Sequence, residues 1–306
     1  MDRQVAVVGA TSSIGMRPYE DGIARDVYLA PIVLRQRGLI ERLGAIDLGN
    51  VAPPAYKDYV RPPLRARNEQ QVVLYSRSLA ARVAAATSHG QFALVIGGDC
   101  SVVLGCLLGA RRTSGEPLGL VYIDAHADFA TPDESATGSV SSMTLALASG
   151  RGDSPLARLA GRAPLVDGRN VVLAGRRDDS NEWPGHAALA ASSILDLTDG
   201  TLQAQGFKEL GRVSSQRVAA DDVRGFWVHV DVDVLNPAIM FAVDSPRPGG
   251  LMPAELVDFL APLVHHPRAL GLSLSVYDPA FDPDRSCARR LVAMLEMLLA
   301  PVGARQ

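Results

Sequence analysis

The run Leu120-Val121-Tyr122-Ile123-Asp124-Ala125-His126-Ala127-Asp128-Phe129 decides how the chain is read. Its apolar first half has the composition of a buried strand, and in an extended chain alternate side chains point the same way. Asp124, His126 and Asp128 would then share one face and present two carboxylates and an imidazole at a strand's end. A second run, Phe226-Trp227-Val228-His229-Val230-Asp231-Val232-Asp233-Val234-Leu235, repeats the device with Asp231 and Asp233 set between valines. Valine-rich runs belong to covered strands, where an unpaired ion costs several kcal/mol even after relaxation. One isolated Asp-x-Asp pair can cap a helix or meet an arginine. Two clusters after two strand-like runs point instead to divalent cations, the usual answer to gathered carboxylates.

Upstream, Phe92 to Ile96 reads as another buried strand, running into Gly97-Gly98-Asp99-Cys100-Ser101 and an apolar helix through Leu108. Paired glycines let the backbone turn tightly, and a thiol near a helix N-terminus is more acidic, so Cys100 is a candidate thiolate ligand. Its plainer reading is a small buried hydrophobe. Val5 to Val8 reads as a strand, and Gly9-Ala10-Thr11-Ser12-Ser13-Ile14-Gly15 after it invites a dinucleotide loop. The G-x-G-x-x-G spacing is absent, however, and Met16-Arg17-Pro18 stands where the phosphate-binding helix should run. Ala30 to Leu39 is expected to be helical, with Pro31 near its start and Gly38 near its end. Asp47-Leu48-Gly49-Asn50 reads as a turn, the segment from Val51 to Pro63 as an irregular loop, and Glu69 to Ala86 as a long helix. Strands alternating with helices suggest a doubly wound sheet with its site at the strands' carboxyl edge.

A chain of 306 residues, 47% hydrophobic and 21% charged, can bury a large core, and one domain over 1–306 is expected. The net charge of -3, with no long block of either sign, leaves no electrostatic footprint for nucleic acid. No stretch approaches the ~18 apolar residues of a membrane span, and the start lacks a secretory signal, so a cytoplasmic location is expected. Cys100, Cys106 and Cys287 are too few and too odd a set for a disulfide framework, and reduced thiols are expected.

Taken in order, Gly97-Gly98-Asp99-Cys100-Ser101, Asp124-Ala125-His126-Ala127-Asp128, Asp231-Val232-Asp233-Val234-Leu235-Asn236-Pro237 and Pro248-Gly249-Gly250-Leu251 resemble the motifs of the ureohydrolase family, which includes arginase, agmatinase and formimidoylglutamase. Ala30-Pro31-Ile32-Val33-Leu34-Arg35, Tyr277-Asp278-Pro279 and Asp282-Pro283-Asp284 are similar to its flanking signatures. The resemblance implies a three-layer α/β/α domain around a mainly parallel sheet, a two-manganese site, a small-molecule substrate, and homo-oligomers, usually trimers or hexamers. Carried over by position, it implies one metal held by Cys100, Asp124, Asp128 and Asp231 and a second by Asp124, His126, Asp231 and Asp233. The shared hydroxide, made available by the lowered pKa of bound water, would attack an amidine or guanidine carbon, with Asp128 and the residue at Ser141 as the catalytic positions.

The departures are as informative. The family has histidine where Cys100 stands, and four aspartates plus a thiolate carry -5 against +4 for two divalent ions. Extra negative charge should raise the pKa of bound water or favour a softer metal such as zinc at that position. Ser141 stands where the arginase loop has a proton-shuttling histidine, and serine near neutral pH is a poor acid or base. Ala130 replaces an asparagine that binds the substrate's α-carboxylate. Ser273 is aligned with a glutamate that pairs with the guanidinium, and a hydroxyl cannot replace a bidentate charged acceptor. Thr137, Ser139, Asp179 and Ser273 are the expected substrate-facing residues. Free L-arginine is therefore disfavoured, and a less basic compound such as Nω-hydroxyarginine, a formimino compound or another neutral amidine is favoured. Two other readings compete: a ureohydrolase fold that has lost catalysis and serves regulation or structure, and a cysteine-nucleophile hydrolase using Cys100 with His126. The surrounding carboxylates oppose the second of these, because they suppress a thiolate.

Overall fold

The computed structural model describes residues 3–161, 164–177 and 183–300. Eight strands form one sheet: Val5–Ala10 (β1), Ile46–Val51 (β2), Phe92–Ile96 (β3), Leu118–Ile123 (β4), Val171–Ala174 (β5), Leu195–Leu197 (β6), Gly225–Asp231 (β7) and Ala269–Ser275 (β8). Their spatial order is β2-β1-β3-β8-β7-β4-β5-β6, and every pairing is parallel. Parallel neighbours need crossover connections, so the sheet must be covered on both faces.

The alternation of side chains shows how that cover is built. Val7, Leu94, Ile96, Val121, Ile123, Val228 and Val230 join a core with Leu34, Leu39, Phe259, Leu291 and Leu295. Their strand neighbours Val8, Val95, Leu120, Tyr122 and Trp227 point the other way and pack with Tyr75, Leu79, Val83, Val103 and Leu107. One face is thus covered by helices including Pro253–Val264 and Ser286–Leu299, the other by Glu69–Ser88 and Val102–Ser114, which makes three layers. Gly105 and Gly109 let the last two helices close up, since a Cβ on Gly109 would sit 2.7 Å from the Ala80 carbonyl. Among the described residues no helix is long and apolar enough to cross a membrane.

Two local expectations change. The segment Asp47 to Asn50 is strand rather than turn, lying within β2 at the sheet's edge. It reads as a turn because an edge strand is largely exposed and so carries polar residues; the fork of Arg35 on both Asp47 carboxylate oxygens, at 2.9 and 2.8 Å, ties it down. The helix from Ala30 stops at Gln36, and the left-handed Gly38 (φ +81°) starts a second short helix, Leu39–Leu43.

Candidate metal centre

The central four strands, β3, β8, β7 and β4, deliver their carboxyl ends to one cavity of about 410 Å³, where ligands of open α/β sheets commonly bind. Cys100 arrives from β3 through Gly97 (φ +90°) and Gly98 (φ +82°). A Cβ on Gly97 would lie 2.5 Å from Pro31, so both the backbone angle and the space demand glycine there. Asp99 is buried and fixes the turn by accepting from the N–H groups of Ser101 (2.9 Å) and Gly15 (3.0 Å).

From β4 come Asp124, His126 and Asp128, though not by strand alternation. The strand stops at Ile123, and Asp124 Oδ1 accepts from the His126 N–H at 2.7 Å. Asp128 is left-handed (φ +47°), an uncommon state for a residue other than glycine, and its Oδ2 accepts from the Tyr122 hydroxyl at 2.5 Å. The loop therefore gathers the three side chains that an extended chain would have spread along about 13 Å. Asp231 ends β7, and Asp233 sits in the tight 3-10 turn that follows, its N–H donating to Asp231 Oδ1 at 2.8 Å.

These groups meet as two overlapping triads. Cys100, Asp124 and Asp128 form one and Asp124, His126 and Asp233 the other, with the ligand atoms of each triad within 4.8 Å of one another. The Cys100 thiol lies 2.9 Å from Asp231 Oδ2, and His126 Nδ1 lies 3.0 Å from Asp233 Oδ2 and 3.4 Å from Asp124 Oδ1. Burial, followed by repulsion from Asp233, raises the Asp124 and Asp231 carboxyls well above the usual carboxylate range. Burial and then the charges of Asp231, Asp128 and Asp124 push the Cys100 thiol well up. Burial also works against a charged His126 and a charged Asp233, yet the carboxylates of Asp124 and Asp233 push the imidazole up to about 11, and the His126 imidazole in turn holds Asp233 low. Hard oxygens with one nitrogen and one sulfur, sharing Asp124 and mutually repelling, are a donor set that two divalent cations fit. A thiol this suppressed is no nucleophile without such a cation.

The other expected residues divide. Thr137, Ser139 and Ser141 line the cavity, as do Ala130, Trp183 and Val276. Ser273 does not. It lies inside β8, fully buried, accepting from Trp227 Nε1 at 3.0 Å and paired with His229 Nδ1 at 2.8 Å. An apolar alternating stretch hides its register, and the member of this segment that faces the cavity is Val276, three residues on. Asp179 lies outside the described residues. His229 is a core histidine, its ring 4.7 Å from that of Tyr122, with burial lowering its pKa to about 3. Asp278 forms a turn through the Ala280 N–H at 2.9 Å.

Sequence reading missed Arg177, Tyr122 and three arginines of the cavity wall, Arg17, Arg25 and Arg247. Arg177 is 9% exposed, and its guanidinium donates to the carbonyls of Asp233 (2.7 Å), Val234 (3.0 Å) and Pro248 (3.1 Å), clamping the turn that carries Asp233. The only signal for it was an arginine pair placed directly after a short apolar run.

Comparisons with known proteins show the family and the fold. The model of the arginase family matches residues 9–300. The arginase of Bacillus subtilis (strain 168) is 27% identical over 305 residues, covering 98% of each chain. The solved arginase of Bacillus caldovelox superposes with a TM-score of 0.86 at 26% identity, covering 98% of this chain and 99% of that one. The proclavaminate amidino hydrolase of Streptomyces clavuligerus, at 18% identity and a TM-score of 0.71 over 97% of this chain and 91% of its own, shares the fold. The chain belongs to the arginase family and is a metal-dependent amidinohydrolase of the three-layer α/β/α fold.

Proposed function

We propose that this amidinohydrolase uses two manganese ions to cleave a linear amidine or guanidine whose reacting end is less basic than that of free L-arginine, with Nω-hydroxyarginine the favoured candidate. The observation that carries the two-ion reading is the pair of triads sharing Asp124 at the cavity's base. Cys100, Asp124, Asp128 and Asp231 would hold one ion and Asp124, His126, Asp231 and Asp233 the other, and zinc is the softer alternative beside the thiolate. Such ions, when bound, make water a nucleophile near neutral pH and polarise the amidine carbon. The bond that forms joins water's oxygen to that carbon, the C–N bond breaks, and a proton must reach the departing nitrogen. Asp128, oriented by Tyr122, is the group that would take the water's proton and pass it on. Thr137, Ser139 and Ser141 offer hydroxyls to hold the substrate but no group that titrates near neutrality. A homo-oligomer, trimer or hexamer, and a cytoplasmic location complete the proposal.

The wall beside the ligands bears on the charge of the reacting end. Val276 occupies it at φ +70°, a costly conformation for a β-branched residue that persists only where its surroundings enforce it. Among the described residues the one cavity acid outside the ligand set is Asp244, and Arg25 neutralises it. Among the described residues a guanidinium thus has no free carboxylate partner outside the ligand set, a loss of about 1.5 to 3 kcal/mol, and the lack of a shuttling base at Ser141 costs about 10² to 10⁴ in rate. Manganese-loaded protein assayed with arginine, agmatine, formiminoglutamate, 4-guanidinobutyrate and Nω-hydroxyarginine should show kcat/KM for the last at least about 100-fold above arginine. Arginine as the best substrate would defeat the charge argument. Silence on all five would favour the non-catalytic reading.

A further inference from the structure

We infer that Arg61, which lies outside the cavity, is a positioning residue for substrate binding: its guanidinium staples the loop that carries the hydroxyls of Thr137 and Ser139. The inference rests on the proposed amidinohydrolase reading and deepens it.

Residues 131–139 supply Ser135, Ala136, Thr137 and Ser139 to the cavity wall, and they do so without helix or strand. The N–H groups of Glu134 and Ser135 turn back on the Thr131 carbonyl, at 3.1 and 2.9 Å. The carbonyls that follow have no such ladder, and backbone acceptors away from water need donors. Arg61 supplies them from a segment far off in sequence. Its Nη1 donates to the carbonyls of Ser135 (2.6 Å) and Ala136 (3.1 Å), its Nη2 to that of Pro132, and its Nε to that of Arg65 at 3.1 Å. Gly138, at φ +74°, is the slot that admits the side chain: a Cβ there would meet Arg61 Nε and stand 2.7 Å from its Cδ. Arg67 completes the hold, with its Nε on the Thr137 carbonyl and its N–H on that of Gly138, both at 2.8 Å.

What the staple fixes is the direction of two hydroxyls. Thr137 Oγ1 accepts from the Ser139 N–H at 3.2 Å, and Ser139 Oγ accepts from the Arg17 N–H at 3.0 Å. Each oxygen is tied by a backbone N–H, and each keeps its own hydrogen for what enters the cavity. A planar fork serves several carbonyls at once, which the point charge of a lysine cannot do. Groups set in place before the substrate arrives need no ordering when it binds, so a loosened loop weakens binding more than it slows the chemical step.

Hydrogen exchange of manganese-loaded protein, read in the peptide spanning 132–139, tests the staple without any turnover. KM and kcat for Nω-hydroxyarginine test what the staple does for the substrate. In Arg61→Gln the amides of Glu134, Ser135 and Gly138, each hydrogen-bonded inside the loop, should exchange about tenfold faster or more, with β4 and β7 unchanged. KM should rise about tenfold while kcat changes by less than about threefold. Arg61→Lys should behave almost like Arg61→Gln, since it keeps the charge and loses the fork. Gly138→Ala, which closes the slot, should raise KM in the wild-type background and little further in Arg61→Gln, whereas backbone strain at φ +74° alone would add in both. Unchanged exchange or KM in Arg61→Gln, full rescue by lysine, or additive KM effects overturns the inference even if hydroxyarginine is hydrolysed. Faster exchange confined to the loop in a protein that hydrolyses none of the amidines would sustain the staple while ending the catalytic reading.

Discussion

Asp231→Asn should lower turnover by about a thousandfold or more and remove the stabilisation conferred by manganese, while making the metal-free protein less sensitive to pH. The carboxylate ends β7 at the focus of the site, 2.9 Å from the Cys100 sulfur and holding the Asp233 N–H. Asparagine keeps the shape and the N–H acceptor but withdraws the charge that a cation needs. The stability effect follows from the raised carboxyl, driven by burial and then by repulsion from Asp233 and Asp124. A group whose folded pKa lies above its unfolded one binds more protons in the folded state between those two values, so stability falls as pH rises through that window. Chelator-treated wild type should therefore melt progressively lower as pH climbs above the ordinary aspartate pKa, and Asp231→Asn should flatten that slope. Added manganese should raise the wild-type midpoint, because a ligand that binds only the folded state stabilises it by mass action, and should do little for the variant. A variant that keeps both its activity and its manganese-dependent melt would remove Asp231 from the centre.

Arg177→Met is expected to cost about 2 to 4 kcal/mol of stability, since each buried acceptor left without a donor costs about 1 to 3 kcal/mol. The guanidinium holds three carbonyls at 3.1 Å or less, and its loss strands the buried ones of Asp233 and Val234 without a donor. The packing around it is equally tight: a Cβ on Gly250 (φ +96°) would stand 2.7 Å from both Arg177 Nη2 and the Val234 carbonyl. Lysine, a single point charge on a flexible stem, cannot serve a fork of acceptors, so Arg177→Lys should recover less than half of the loss. Urea denaturation with manganese saturating and absent separates the fold from the site. The clamp bears on the turn of Asp233, so the variant should lose metal affinity as well as midpoint; a midpoint like that of wild type would show the carbonyls to be held by other means.

How far the chain could be read before its structure depended on which residue types mark each feature. Apolar runs from Phe92, Leu120 and Phe226 announce covered strands because burial on both faces favours apolar side chains, and the structure places β3, β4 and β7 there. The carboxylates of Asp124, Asp128, Asp231 and Asp233 were legible because no fold tolerates them after such strands without a reason. What carried them together was not legible: the alternation drawn for Asp124 to Asp128 fails at Ile123, where the chain leaves the sheet, and the left-handed Asp128 has no marker in sequence. Ser273 shows the same limit, since a strand of small and aliphatic residues fixes no register and the cavity wall falls to Val276. Arg177 was missed because arginine is common on surfaces and only three-dimensional placement separates a clamp from a solvated charge.

We propose that Cys100, Asp124, His126, Asp128, Asp231 and Asp233 hold two divalent cations in one centre. Elemental analysis of protein loaded with manganese and dialysed against metal-free buffer measures it directly. About two ions per chain are predicted, falling to one or fewer in Asp231→Asn, whereas less than about one ion for every two chains in the wild type would contradict a two-cation centre.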